Sequence, residues 1–300
     1  MLLNRLRLDC LRWLVVYYPT SPSILTGSLC TPATLKLLRC LTTLGPGEHG
    51  ALKPKQLDDS GKLWTPGIRA GVQPGSEYHL TEYFGPILGI IRCDTLEEAI
   101  EIQNATDYGL TAGLHSLDAD EINLWLDRVQ AGNVYVNRGI TGAIVRRQPF
   151  GGWKNSAIGA GTKAGGPSYL YGLGEWEADG IPENEGVDLR NRALVEAAKV
   201  ARSLDSNKEF VMASLRSSQQ ALDSEFAVGH DPSALRVERN VLRYCTLPVL
   251  IRLSEGEDAS QELMIAAAGR AVGSHVSVSM SQDPDSALLQ SLRVQHIDYG

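Results

Sequence analysis

The sequence has 300 residues, of which 43% are hydrophobic and 21% are charged, and its formal net charge at pH 7 is −7. This composition is typical of a globular protein of about two domains, and it excludes disorder, collagen and coiled coil as the dominant state. The acidic balance argues against nucleic-acid binding, which needs a basic surface, and no apolar run approaches the roughly 18 residues of a membrane-spanning helix.

Residues 1–80 are predicted to form short helices followed by turn-rich chain. Apolar residues at helical spacing indicate a first helix (Leu6, Leu11, Leu14 and Val15), and Thr34–Leu44 indicates a second short one. Residues 51–80 contain repeated turns with Gly and Pro, so we expect loops or short strands at a surface there.

A strand and a helix are predicted next. The apolar run Ile87–Ile91 predicts a buried strand. Thr95 and Glu98 have the spacing of a capping box, and the helix that they begin is predicted to end at Gly109.

The same alternation then repeats. A strand at Leu110–Ser116 precedes a helix that Asp118 and Glu121 begin and that Gly132 is predicted to end. Val134–Val136 is the next predicted strand. The order strand, helix, strand, helix, strand is typical of a parallel α/β sheet with right-handed crossovers.

The C-terminal part is predicted to be a separate α/β unit. Residues 173–186 are acidic and aperiodic, with Gly and Pro, and indicate a linker. In residues 187–300, helices are expected at Val187–Ser203, Lys208–Glu225, Ala259–Ala271 and Asp285–Ser291, and strands at Val249–Leu253, Val276–Ser279 and Val294–Ile297.

Cysteine usage indicates a reducing compartment. The five cysteines are odd in number and lack C-x-x-C spacing, so we expect neither a disulfide framework nor a zinc site: Cys10, Cys30, Cys40, Cys93 and Cys245. Asp9 and Arg12 interrupt the apolar stretch near the N-terminus, which argues against a secretory signal. We therefore expect a cytoplasmic location, and the scattered histidines predict no metal site.

Glu82 and Phe84 lie in the segment Thr81-Glu-Tyr-Phe-Gly-Pro86, just before a predicted strand. Ligands bind near strand ends in open α/β sheets. An ionised carboxylate can accept hydrogen bonds from both hydroxyls of a ribose, and an aromatic ring can pack against a flat ligand ring. The same pattern also fits an exposed glutamate before a turn, with the phenylalanine in the core.

Glycines punctuate the chain after the Val134–Val136 strand. The backbone N–H groups of Gly139-Ile-Thr-Gly-Ala143 could hold a small anion such as a carboxylate. The glycine-rich stretch Gly151–Gly166 implies close backbone approach or positive φ, or else a flexible turn-rich segment. Phe150 favours an ordered loop, because exposed phenylalanine is uncommon.

Several of these motifs together resemble a known family. They occur in order between residues 82 and 152: Glu82-Tyr-Phe-Gly-Pro86, Asn104-Ala-Thr-Asp-Tyr-Gly-Leu-Thr-Ala-Gly-Leu-His115, Gly132-Asn-Val-Tyr-Val-Asn137 and Pro149-Phe-Gly-Gly152. Together they resemble the C-terminal half of the aldehyde dehydrogenase superfamily.

Further motifs are similar to the L-glutamate γ-semialdehyde (Δ1-pyrroline-5-carboxylate) dehydrogenases of the proline-utilisation A type: Tyr135-Val-Asn-Arg138, Gly142-Ala143 and Lys163-Ala-Gly-Gly-Pro167. The resemblance extends upstream to Tyr18-Pro-Thr20 and Leu41-Thr-Thr-Leu-Gly-Pro-Gly47, and downstream to Glu238-Arg-Asn-Val-Leu-Arg-Tyr244.

The resemblance implies an α/β fold and a reaction. Residues 1–172 would be the C-terminal part of the catalytic domain, a parallel sheet with helices on its faces. Residues 173–186 would be a linker, and residues 187–300 a smaller Rossmann-like α/β domain. The family oxidises an aldehyde with NAD⁺ through a cysteine nucleophile and a water activated by a glutamate. The implied substrate is L-glutamate γ-semialdehyde, an intermediate of proline breakdown to glutamate.

The resemblance also implies roles for particular residues. Glu82 would bind the hydroxyls of the nicotinamide ribose, and Phe84 would pack beside the nicotinamide. Gly142 and Ala143 would present N–H groups to the substrate α-carboxylate, and Phe150 would form a wall of the aldehyde channel. The structural residues of this loop would be Asn137, Gly151 and Gly152.

The sequence departs from the family where the chemistry is expected. It contains neither the Gly-Gln-x-Cys-Ser-like loop of the nucleophile nor the Glu-Leu-Gly-Gly-like loop of the general base. None of the cysteines has a neighbouring His⁺, Gly-rich loop or helix N-terminus that would lower its pKa. We therefore expect the chain to lack both catalytic residues, which would precede residue 1, and to be inactive alone.

Three functions follow from these observations. The chain is a fragment of L-glutamate γ-semialdehyde dehydrogenase, a non-catalytic module that assembles with an N-terminal half, or a general binding protein for NAD or an acidic amino acid. We expect a homo-oligomer or association with that half. Apolar surface around Ile87–Ile91 and Val134–Val136 is expected to be exposed in the chain alone, which favours obligate association.

Overall fold

A computed structural model describes residues 27–28, 33–144, 147–157, 162–177, 180–181, 183–204, 207–253, 259–280 and 295–296. The chain divides into two compact units, residues 1–173 and residues 174–300. Among the described residues, none of the helices combines the length and the hydropathy that a membrane crossing requires.

The first unit combines short strands and helices. Its strands are β1 (Gly27–Ser28), β2 (His49–Leu52), β3 (Leu63–Trp64), β4 (Gly67–Ala70), β5 (Ile87–Ile90), β6 (Tyr108–Gly109), β7 (Thr111–Leu114), β8 (Asn133–Val136) and β9 (Trp153–Lys154). Its helices are α1 (Leu35–Thr42), α2 (Glu77–Leu80), α3 (Leu96–Asn104) and α4 (Ala119–Arg128), and a 3₁₀ turn covers Tyr169–Gly172.

Side-chain caps begin α1 and α3 at the predicted positions. The Thr34 hydroxyl accepts the N–H of Leu37 at 3.3 Å. The Thr95 hydroxyl accepts the N–H of Glu98 at 3.1 Å, and the Glu98 carboxylate accepts the N–H of Asp94 at 2.8 Å. In a capping box the Glu98 carboxylate would accept the N–H of Thr95; here it accepts the N–H of Asp94, the residue before the cap. That bond still satisfies a backbone donor at the start of the helix.

The strands form several small sheets rather than the single parallel sheet that the alternation predicted. β7 and β8 are parallel, with α4 between them, as expected. β5, however, pairs in parallel with β4, which is also antiparallel to β2. Periodicity identifies each strand but not its partner, because pairing depends on contacts between distant segments.

The burial predicted for the strand at residues 87–91 is also wrong. β5 lies at the edge of the β2–β4–β5 sheet, and each of its residues is only half-buried. All four residues of the strand are partly buried, and no further strand pairs with its outer edge in the described part of the chain.

Gly109 and Gly132 do not end the helices, as the sequence predicted, because α3 and α4 end several residues earlier. Each glycine lies where two backbones meet. A Cβ at Gly109 would overlap the carbonyl oxygen of Gln130, and a Cβ at Gly132 would overlap that of Gly151. Glycine is needed here for close backbone approach rather than for a left-handed cap.

The helices α3 and α4 share a core with β7. The apolar face of α4 packs into this core, and Trp125 is buried with its Nε1 donating to the Gln103 side chain at 2.8 Å. Asp118 begins α4 by accepting the N–H groups of Asp120 and Glu121. The buried cluster comprises Leu96, Ile100, Ala112, Leu114, Trp125 and Val129.

A buried ion pair joins α1 to the β2–β4–β5 sheet. Arg69 of β4 donates to Glu48 at 2.7 Å, and the two side chains are only 6% and 4% exposed. The second guanidinium nitrogen donates to the carbonyls of Cys40 and Thr43 at the end of α1. Carbonyls at a helix C-terminus carry partial negative charge, so a buried cation is well placed there.

The second unit has a three-stranded parallel sheet in the order β10 (Val249–Leu253), β11 (Val276–Met280) and β12 (Gln295–His296). Its helices are α5 (Arg192–Ala201), α6 (Lys208–Ala221), which continues as a π-helical turn (Leu222–Phe226), and α7 (Ala259–Ala271). Its core is the buried cluster of Leu194, Ala197, Ala198, Ala201, Val211, Leu215, Ile251, Leu263, Ala266, Ala267, Val276 and Val278.

The helix predicted from Val187 begins later than expected. Asn191 caps α5 by accepting the N–H of Ala193 at 2.9 Å, so the helix starts at Arg192. The bounds predicted for α7 are confirmed. The helix expected near Leu6 and the one at Asp285–Ser291 lie outside the described residues, as does all of the last predicted strand except β12.

Removing the Arg69 guanidinium should destabilise the first unit strongly, because Glu48 would keep a buried, unpaired charge. We expect Arg69→Met to lower the free energy of unfolding by about 3–5 kcal/mol, measured by hydrogen exchange of peptides from β4 and α1. Arg39→Met is the control, since the Arg39–Glu77 pair is 61% exposed on both sides and should contribute less than about 1 kcal/mol. Equal effects of the two variants would contradict this assignment.

Candidate active site

Glu82, Tyr83 and Phe84 alternate in exposure just before β5. Glu82 is exposed and Phe84 is 81% exposed, whereas Tyr83 is partly buried against the cluster of Leu37, Leu41 and Trp64. This excludes the alternative in which Phe84 is a core residue. Glu82 and Phe84 are thus both available to a ligand, and the residue between them is anchored.

A cleft of about 190 Å³ lies beside Glu82. His79 forms part of its wall and is fixed by two bonds: its Nδ1 accepts the N–H of Gly75 at 2.9 Å, and its Nε2 lies 2.8 Å from the carbonyl of Ile102. These partners require a neutral imidazole protonated at Nε2. The lining residues are His79, Leu80, Thr81, Glu82, Thr106 and Tyr108.

Asn137 follows β8 and joins it to the end of β7. Its φ is +57°, its side-chain oxygen accepts the N–H of Ser116 at 3.0 Å, and its side-chain nitrogen donates to the Ser116 carbonyl at 2.8 Å. The amide therefore pairs with one residue of the neighbouring segment as a backbone strand would. Asparagine tolerates this left-handed backbone better than most residues.

Gly142 and Ala143 form an open turn after β8. Gly142 has φ +85°, nothing lies within 4 Å of the position of a Cβ on it, and both residues are exposed. Its carbonyl accepts a hydrogen bond from the hydroxyl of buried Tyr135 at 3.2 Å. In the described part of the chain, no hydrogen bond engages the N–H groups of Gly142 and Ala143.

Burial raises the pKa of the Tyr135 hydroxyl, and nearby Arg138 lowers it in part. The phenol therefore stays protonated at neutral pH and can act as a hydrogen-bond donor. It fixes the carbonyl side of Gly142 while the peptide N–H groups of the turn stay accessible.

Phe150 and Gly151 are held against the start of β8. Phe150 exchanges two backbone hydrogen bonds with Ala164, at 3.0 and 2.8 Å. The Asn133 side chain accepts the N–H of Gly151 and donates to the carbonyl of Pro149, both at 3.1 Å. Phe150 is half-buried, so this part of the chain is an ordered loop.

Lys163 is a structural residue of this loop that spacing did not identify. Its ammonium group donates to the carbonyls of Gly132 and Gly151, at 2.6 and 2.8 Å. It thereby joins two segments whose backbones already touch. Lys163 was noted only as part of a motif, because its partners are carbonyls of distant glycines, which have no side chain to indicate them.

Gly152 makes a similarly close approach, since a Cβ on it would overlap the Ser156 backbone. Residues 137–144 and 147–152 are therefore assembled around β8. Glu82 and Phe84 belong to a separate segment, and no hydrogen bond or ring contact described in the structure links them to residues 137–152.

A larger cleft, of about 670 Å³, lies at the beginnings of α3 and α4 and includes none of the predicted site residues. Four of its lining side chains are acidic: Asp94, Glu97, Asp120 and Glu121. Acidic residues at helix N-termini compensate the helix dipole. Within the described ranges, no group of His, Cys, Asp and Glu side chains has the arrangement of a metal site.

Burial disfavours the thiolate at two of the cysteines that the structure describes. Cys40 is buried, and desolvation raises its pKa to about 11. Partial burial, together with nearby Glu98 and Asp94, raises the pKa of Cys93. Cys245 is exposed in the second unit. Cys10 and Cys30 lie outside the described residues.

Comparison with known proteins identifies the family of the first unit. The model of the aldehyde dehydrogenase family matches residues 17–173. The 1-pyrroline-5-carboxylate dehydrogenase of Bacillus licheniformis is 35% identical over 153 residues, which are 51% of this chain and 29% of the relative. That of Bacillus subtilis is 36% identical over 158 residues, which are 52% of this chain and 30% of the relative. The chain thus spans less than a third of the length of these relatives.

Among solved structures, Proline Utilization A from Corynebacterium freiburgense is 40% identical with a TM-score of 0.73, covering 91% of this chain and 29% of that one. Coverage of 91% requires that the likeness include part of the second unit, since the first unit ends at residue 173. The fold is α/β, as the sequence predicted. The chain belongs to the aldehyde dehydrogenase family.

Proposed function

We propose that this chain is part of an NAD-dependent dehydrogenase that oxidises L-glutamate γ-semialdehyde to L-glutamate in proline breakdown. The observation that carries the proposal is the open turn at Gly142 and Ala143. Relatives named 1-pyrroline-5-carboxylate dehydrogenase support the substrate class, because they match about half of this chain at 35–36% identity.

The turn has the properties of a carboxylate-binding loop. Consecutive backbone N–H groups next to a residue of positive φ form a concave site for an anion. A charged acceptor gains more from such donors than a neutral one does. The α-carboxylate of the substrate would bind here and orient the aldehyde carbon, while half-buried Phe150 forms an apolar wall beside it.

The segment at Glu82 fits a nicotinamide cofactor. The exposed Glu82 carboxylate has two acceptor oxygens for the two ribose hydroxyls, and it lies beside a cleft of about 190 Å³. Phe84 presents an exposed ring that can pack against the nicotinamide. When bound, NAD⁺ supplies the hydride acceptor, and these two residues would hold its reactive ring in place.

The nucleophilic thiol and the general base would come from polypeptide other than these 300 residues. Burial raises the pKa of Cys40 to about 11 even though Arg69 is nearby, and partial burial raises the pKa of Cys93, so neither environment stabilises a thiolate. This chain would therefore bind and orient the two reactants without carrying out the covalent step itself.

A second candidate function, a non-catalytic module, is supported by the half-exposed edge strand β5. In the described part of the chain, the outer edge of β5 pairs with no strand, and such an apolar edge favours pairing with another strand. The partner we propose is a polypeptide that carries the remainder of the catalytic domain, and a homo-oligomer is compatible with the same surface. We propose a cytoplasmic location for this assembly from the cysteine usage alone.

The division into residues 1–172, a linker at 173–186 and a domain at 187–300 is also part of the proposal. Within the second unit, Asn184 is buried and donates to the carbonyl of Ala213 at 2.8 Å. The C-terminal end of the proposed linker is thus anchored to that unit.

Removing one N–H group of the turn tests the carboxylate site. We expect Ala143→Pro to weaken binding of L-glutamate, the proposed product, by about 10- to 100-fold, since a hydrogen bond to a charged group contributes about 1.5–3 kcal/mol. Ala143→Ser keeps the N–H and should bind as the parent chain does. Binding is measured by saturation-transfer NMR of glutamate. Equal binding by both variants would contradict the assignment.

The proposed absence of a nucleophile is tested by NADH formation at 340 nm from the chain with NAD⁺ and Δ1-pyrroline-5-carboxylate. We expect none. In a parallel experiment, the chain is treated with iodoacetamide at pH 8. Exposed Cys245 should be labelled, whereas buried Cys40 should not, because the raised pKa of Cys40 keeps its thiol protonated. Turnover that iodoacetamide abolishes would show that the chain contains its own nucleophile.

A further inference from the structure

Tyr83, between Glu82 and Phe84, makes contacts with two helices. Its ring stacks on that of Tyr78 with a centroid separation of 5.5 Å and an interplanar angle of 20°. Its hydroxyl lies 3.3 Å from the Glu77 carboxylate, to which it donates. The ammonium of Lys36 in α1 lies 5.5 Å from its ring centroid, within the range of a cation–π contact.

The Tyr78–Tyr83 stack is itself attached to the buried ion pair. The Arg69 guanidinium lies 4.3 Å from the Tyr78 ring centroid. Strand β5 also limits the Tyr78 ring, which lies so close to Gly89 that a Cβ at that position would overlap it. Tyr78 therefore has little freedom to move, and it provides a rigid surface for Tyr83.

The chain after Tyr83 is fixed as well. A Cβ at Gly85 would overlap the Leu37 side chain, so the segment lies directly on α1. The Pro86 carbonyl accepts the N–H of Gly67 at 2.8 Å, which leads into the β4–β5 pairing. The exposed side chains of Glu82 and Phe84 thus belong to a short segment that is fixed at Tyr83 and again at Gly85 and Pro86.

We propose that Tyr83 is a positioning residue for the cofactor: its ring, stacked on Tyr78, holds Glu82 and Phe84 where they contact the ribose and nicotinamide of NAD. The inference rests on the function proposed above and extends it to a residue that touches no ligand. Tyr83 acts through its neighbours, since its own side chain faces the core.

The size of the effect follows from the stack. Without the Tyr83 ring, the segment of Glu82 and Phe84 samples other conformations. The apparent affinity for NADH then falls in proportion to the fraction of molecules that keep the binding conformation. An aromatic pair limits that loss to about two- to tenfold. The contacts that should weaken are those of Glu82 and Phe84 with the ribose and the nicotinamide.

The test compares Tyr83→Met and Tyr83→Phe in the full chain with NADH as the probe. Methionine fills the apolar space against Leu37 but has no ring, and phenylalanine keeps the ring without the hydroxyl. Saturation-transfer NMR reports which NADH protons contact the protein, and titration gives the dissociation constant. Tyr169→Met is the control, because it makes the same change at an exposed tyrosine of the same unit.

We expect Tyr83→Met to raise the dissociation constant by about two- to tenfold and to weaken the nicotinamide and ribose signals selectively, with rescue by Tyr83→Phe to within about twofold. If the Tyr83→Met variant kept the NADH contacts of the parent chain, the inference would be overturned and the proposed function would stand. A Tyr83→Phe variant as weak as Tyr83→Met would also overturn it, because the hydroxyl rather than the stack would then be responsible.

Two further outcomes separate this inference from the function on which it rests. A parent chain that shows no nicotinamide contact, or that keeps it in Glu82→Gln, would overturn the proposed function and the inference together. A Tyr83→Met chain without a cooperative melting transition would show that Tyr83 supports the fold rather than the segment, and would overturn the inference while leaving the proposed function intact.

Discussion

The buried Arg69 guanidinium determines how the first unit is assembled. A cation out of water needs polar partners, and both terminal nitrogens of Arg69 have them, in Glu48 and in the last carbonyls of α1. Arg69 and these partners together come from three segments, so the requirement fixes a helix against a sheet. The same guanidinium packs on Tyr78, which in turn carries Tyr83. The geometry of the exposed pair Glu82 and Phe84 thus depends on a charge that neither residue contacts.

Local elements were largely predictable from the sequence, and their pairing was not. The caps at Thr34, Thr95 and Asp118 act on N–H groups two or three residues away, so spacing alone identifies them. β5 was recognised as a strand, but its pairing with β4 was missed, because an apolar run fits several registers and partners. Burial of β5 was overestimated for the same reason: an edge position is a property of the sheet and not of the strand.

The predicted site residues were found from family motifs, and the residues that hold them were not. Tyr135, Asn133 and Lys163 bind backbone atoms of residues that lie 7 to 31 positions away in sequence. Backbone acceptors leave no trace in the side-chain pattern, so periodicity cannot indicate such bonds. The glycines gave a partial clue: at Gly132 and Gly152 the reason for glycine is contact between backbones, and at Gly142 it is a positive φ.

Every described contact that fixes the two candidate ligand segments comes from within the first unit, between Lys36 and Ala164. The segment of Glu82 and Phe84 and the turn of Gly142 and Ala143 are therefore held by contacts within this unit. Rigid, pre-formed contacts lose less entropy on binding than flexible ones. A partner that supplies the thiol and the base would then need only to dock, since it would not have to reshape this half of the site. In the function proposed above, the half-exposed edge of β5, directly after the segment of Glu82 and Phe84, is where docking would bring the thiol and the base close to the ligand.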